Sequence, residues 1–128
     1  MAGYTIANLK KVEDQAPKFG FAPNLESRFA REALGLTQSG ITYFRLAPGF
    51  RIPFGHTHEQ QEEIYLIVTG SVRMKLDDEI VELHAWDAIR VAPEVARSSE
   101  AGPNGAEIVA FGAPPARDTE MLRDFWTD

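Results

Sequence analysis

The apolar residues of this chain come in short runs, and glycine or proline interrupts them before any run grows long. Ten glycines and eight prolines are spread along 128 residues, with no cluster that would mark a linker. Short runs rich in β-branched and aromatic side chains, set between turn residues, are the pattern of strands. They are Ile41–Leu46, Ile64–Thr69, Val72–Leu76, Ile80–Leu83, Ala88–Val91 and Glu107–Phe111, with Tyr4–Ala7 and Arg28–Ala30 as weaker examples. Residues 73–76 and 79–82, joined by Asp77-Asp78, predict a tight two-residue hairpin. Many short strands with close turns lead to an all-β sandwich or barrel.

Two segments break the pattern. Lys10–Phe21 contains Asp14, Pro17 and Gly20 and reads as a loop with a helical turn. Near the end, Asp118 is placed to cap a short helix, with Met121, Leu122, Phe125 and Trp126 forming a stripe that packs on the barrel. The domain reading is one unit over 1–128, with a core of about 25–113, an arm of 1–24 and a tail of 114–128.

Composition narrows the function classes. A formal charge of -6 argues against nucleic acid, which needs a basic face to release counterions. No apolar run approaches the ~20 residues of a membrane span. The absence of cysteine excludes disulfides and thiolate ligands. The first residues, Met1-Ala2-Gly3-Tyr4-Thr5, lack a basic-then-apolar leader, so the expectation is a soluble cytoplasmic protein.

The chemistry-bearing stretch runs from Gly49 to Glu63. His56 and His58, two of the three histidines, leave the same face of an extended strand. Glu62-Glu63 follows and opens the next strand. Period alone does not choose between the glutamates, because Ile64, Leu66 and Val68 are as apolar as Tyr65 and Ile67. Two imidazoles and a carboxylate form a ligand set for Fe(II), Mn(II), Zn(II) or Ni(II), leaving positions open for water or substrate.

The run His56-x-His58-x4-Glu63-x6-Gly70, preceded by Pro53, resembles the first motif of the cupin superfamily. The resemblance selects Glu63 over Glu62, although Gly49 lies seven residues before His56, one more than the motif's spacing. Residues 83–93, through Trp86-Asp87 to Pro93, are similar to the second cupin motif. That motif carries glycine where this chain has Trp86 and again where it has Val95, and its histidine, the fourth metal ligand, is here Arg97. His84 precedes the turn and is a poor substitute ligand. The resemblance implies a double-stranded β-helix, the jelly-roll barrel of cupins, with a short C-terminal helix.

It also implies a divalent metal at His56, His58 and Glu63 in an enzyme of dioxygenase, isomerase or lyase type. Arg97 is open to two readings: a clamp for an anionic substrate beside the metal, or a partner that neutralises Glu63 in a metal-free barrel. Phe54, Gln61 and Tyr65 join Arg97 as candidate ligand contacts, while Tyr43, Phe44 and Phe111 belong to a pocket or the core. The rival function is a non-catalytic module that binds a small ligand without turnover. A two-fold homodimer is expected, the arm 4–7 covering a sheet edge of its partner.

Overall fold

A computed structural model describes residues 3–116 and 119–128. Eight strands, β1 (Leu25–Phe29), β2 (Gly40–Leu46), β3 (Gly55–His58), β4 (Glu62–Leu76), β5 (Glu79–His84), β6 (Ala88–Val91), β7 (Arg97–Ala113) and β8 (Thr119–Leu122), form one sheet that curls on itself. Every pairing among them is antiparallel. A single helical turn, α1 (Arg31–Leu34), follows β1, and two 3-10 turns at Leu9–Lys11 and Ala16–Phe19 occupy the expected N-terminal loop. Among the described residues no helix is long and apolar enough to cross a membrane.

Two long bent strands organise the barrel. The first half of β4 pairs with residues 106–113 of β7, and its second half pairs with residues 97–101. The two runs expected as separate strands, 64–69 and 72–76, are therefore one strand with a bend between them. Gly70 sits at that bend with φ +76, where a Cβ would come within 1.9 Å of the Gly105 carbonyl oxygen. A side chain fits there neither in conformation nor in space. β5 returns on β4 through Asp77-Asp78, as the hairpin pattern predicts, with Asp77 at φ 53.

Three expectations are corrected. Residues 4–7 form no strand, and Tyr4 and Ile6 are largely exposed. β7 is far longer than Glu107–Phe111: its polar first half carries no strand pattern, and only pairing with β4 makes it extended. The C-terminal helix is absent. Its proposed cap, Asp118, lies outside the described residues, and Thr119–Leu122 is a strand whose backbone is taken up by the edge of β3. The apolar stripe still packs on the barrel. Phe125 lies against Gly55, and Trp126 donates its indole N–H to the Ile52 carbonyl at 2.8 Å.

Ile67, Val72 and Met74, each at most 1% exposed, pack the interior with Leu46 and Ile108. Tyr65, Ile108 and Ala110 belong to the same core and also border a cavity between the strands.

Candidate metal and ligand site

β3 brings two imidazoles to the cavity. Alternation along the strand puts His56 and His58 on one face, with ring centroids 4.8 Å apart. The next strand supplies the carboxylate. Glu63 faces in and Glu62 faces out, where it meets Arg90 at 3.6 Å. The inward face of β4 continues with Tyr65, as the resemblance implied.

Glu63 Oε1 is the meeting point. It accepts from the Tyr65 hydroxyl at 2.7 Å and from Arg97 Nη1 at 2.8 Å. His58 Nε2 lies 3.2 Å from the same oxygen and His56 Nε2 3.6 Å. Burial opposes ionisation of Glu63, but hydrogen bonds from His56, His58 and Tyr65 outweigh it and hold the carboxyl well below the usual carboxylate range. Burial pushes the His56 imidazole down, outweighing the raising effect of Glu63. Burial and then the Glu63 charge push the Tyr65 phenol up, so it remains a donor. On its far side, His58 Nδ1 lies 3.3 Å from Thr119 Oγ1 on β8.

Arg97 does not present a free guanidinium. At 1% exposure it donates through Nε to the Val95 carbonyl at 2.9 Å and through Nη2 to the Ala92 carbonyl at 2.6 Å. A longer bond from Nη2 reaches Pro93 at 3.4 Å. With Nη1 on Glu63, all three nitrogens are engaged within the protein. This geometry favours the pairing with Glu63, one of the two readings of the sequence, while the Arg97 side chain also lines the cavity.

The other candidates divide. Phe54 lines the cavity, its ring 5.9 Å from that of Phe21. Gln61 also lines it and is buried, packed so close to Gly112 that a Cβ there would come within 2.6 Å of its side chain. Gln60, beside it, is exposed. Phe44 faces the cavity, whereas Tyr43 turns to the other face of β2 and donates to Glu107 at 2.5 Å. His84 is exposed beside Glu82, away from the site. Thr119, Met121 and Phe21 also line the cavity and were not legible beforehand. Thr119 is 61 positions from His58, and no spacing rule links them.

The donor set suits a divalent ion in kind and in placement. One ligand atom from each of His56, His58 and Glu63 lies within 4.8 Å of the others, and two nitrogens with one oxygen suit a borderline cation. A carboxylate offers about four lone-pair directions, so Glu63 can serve an ion and Arg97 together. The fixed guanidinium charge works against the ion's affinity.

No protein-family model matches the sequence, and no curated protein does. Solved structures match over nearly the whole chain. A cupin protein from Bacteroides fragilis superposes with a TM-score of 0.73 at 22% identity, covering 100% of this chain and 98% of that one. The polyketide cyclase RemF from Streptomyces resistomycificus gives 0.73 at 18%, over 97% and 87% of the two chains. A sugar phosphate isomerase of the cupin superfamily from Silicibacter pomeroyi gives 0.67 at 16%, over 92% of each. At these identities the likeness is one of fold: the chain has the double-stranded β-helix of the cupins.

Proposed function

We propose that this cupin-fold protein binds a small molecule in its cavity and acts on it at a divalent ion held by His56, His58 and Glu63. The observation that carries this is the convergence of those three side chains, from two strands, on the wall of one cavity. A bound ion would supply Lewis-acid polarisation of a substrate carbonyl or a site for oxygen chemistry. The chain's own groups prepare the ligands. Tyr65 and Arg97 orient the Glu63 carboxylate, and Thr119 lies within hydrogen-bond reach of the far nitrogen of His58. The cyclase and the isomerase above have the same fold, which fits an enzyme but does not choose the reaction.

A second reading has one observation in its favour. Arg97 already supplies Glu63 with a cation, which suits a metal-free module that binds its ligand without turnover. Equilibrium dialysis against Mn(II), Fe(II), Zn(II) and Ni(II), with elemental analysis, separates the two. The metal reading expects one ion per chain, lost in His58→Ala. A wild-type protein that takes up no ion at millimolar concentration leaves only the metal-free module.

A further inference from the structure

The cavity beside the three ligands has a volume of about 740 Å³, well within the range of roughly 300–1,000 Å³ typical of small-molecule sites. Its walls are apolar and aromatic: Leu25 and Phe21 come from the N-terminal side, Phe44 from β2, Ile52 and Phe54 from the approach to β3, and Met121 from β8. The tilted pair Phe21–Phe54, with centroids 5.9 Å apart, makes one wall of ring faces and edges. Polar groups gather at His56, His58, Gln61 and Glu63.

The charge balance there matters as much as the shape. Glu63 and Arg97 neutralise each other, and the nitrogens of Arg97 already donate to Glu63, Val95, Ala92 and Pro93. The other arginines that line the cavity, Arg31 and Arg123, are exposed. In the site without an ion, an anion brought to the histidines would lose its water without gaining a free cation in return. A ring system would bury its faces on phenylalanine and offer one hydroxyl or carbonyl to the polar end.

We infer that the ligand of this site is an uncharged, predominantly aromatic molecule of one to a few fused rings, meeting His56 and His58 through a single polar group. It is not the small anion that an arginine at this position suggests from sequence. The inference rests on the reading of this cavity as the site of action, and its charge argument concerns the site without an ion, since a bound dication would itself attract an anion.

Isothermal titration of the full chain after dialysis against EDTA, with 2-naphthol as the neutral aromatic probe and succinate and inorganic phosphate as the anionic ones, tests it. The expected result is saturable binding of 2-naphthol at least about tenfold tighter than either anion. Filling the cavity by Thr42→Trp, at a β2 residue that lines it, or, on the more exposed β8, by Met121→Trp should weaken 2-naphthol at least about tenfold while circular dichroism stays unchanged. Tighter binding of succinate or phosphate overturns the inference. So does an absence of 2-naphthol binding at millimolar concentration, or binding that a folded cavity-filling variant leaves intact. Metal uptake measured on the same samples keeps the two conclusions apart. A stripped protein that binds 2-naphthol and takes up no ion on later dialysis supports this inference and overturns the metal reading; one that takes up an ion but, when stripped, prefers succinate does the reverse.

Discussion

Arg97 and Glu63 form an ion pair at the cavity wall, Nη1 to Oε1 at 2.8 Å, with side-chain exposures of 1% and 14%. The second cupin motif, which residues 83–93 resemble, continues to a histidine where this chain has Arg97, so the pair bears on stability and, under the proposed function, on metal affinity. Arg97→Met should destabilise the protein by about 3 kcal/mol, because it leaves the Glu63 charge buried without its cation. Urea unfolding of the two proteins at neutral pH measures this, and a loss below about 1 kcal/mol would place the pair among weak surface ion pairs.

Arg97→His has the opposite consequence for metal. It removes a fixed positive charge and adds a donor nitrogen, so affinity for Zn(II) or Mn(II) should rise at least about tenfold. Competition titration against a chromophoric chelator reads the change. Equal affinity in the two proteins would mean that the side chain at 97 does not face the ion.

The histidine strand is held from outside by the C-terminal segment. β3 pairs along its whole length only with β8, and Phe125 lies over Gly55 at its start. A Cβ on Gly55 would come within 2.5 Å of the Phe125 ring. Gly55→Ala should therefore cost about 1–3 kcal/mol and weaken metal uptake by displacing His56. Stability unchanged within experimental error would show that Phe125 moves aside freely.

Trp86 stands where the second cupin motif has glycine, and its backbone keeps the glycine conformation, φ 73. The ring is 73% exposed and contributes little packing. Trp86→Gly relieves a left-handed strain of about 1 kcal/mol, offset in part by the greater freedom of glycine in the unfolded chain. The variant should be as stable as wild type or slightly more so. Thermal unfolding showing a clear loss would mean that the indole is buried against something in solution.

Acid stability has a separate source at Glu107. Hydrogen bonds from Tyr43 and then Lys10 lower its carboxyl from 4.5 to about 2. A carboxyl depressed in the folded state stabilises fully above pH 4.5, and that contribution fades as pH falls toward about 2. Glu107→Gln should reduce the pH dependence of stability across that window, where the depressed Glu63 carboxyl also contributes, and leave the neutral range as in wild type. Chemical denaturation at several pH values checks it, and an unaltered acid limb would rule Glu107 out as its source.

Local pattern was enough for the all-β architecture and for the pairing of the two histidines on one face. Short β-branched runs between turns dictate an all-β fold, and the two-residue period of a strand places His56 and His58 on one face without tertiary information. The choice of Glu63 over Glu62 came from the resemblance to the first cupin motif, and the structure turns Glu63 to the cavity and Glu62 to Arg90. Other features depended on partners distant in the chain. The polar residues 97–101 become strand because β4 runs beside them, and 119–122 becomes strand rather than helix because β3 has an open edge. The role of Arg97 was undecidable from sequence for the same reason. Whether a guanidinium grips a ligand or the protein itself depends on which acceptors surround it: Val95, Ala92 and Pro93 are near in sequence but turn their carbonyls to Arg97 through the loop's fold, and Glu63, 34 positions away, is brought by the barrel.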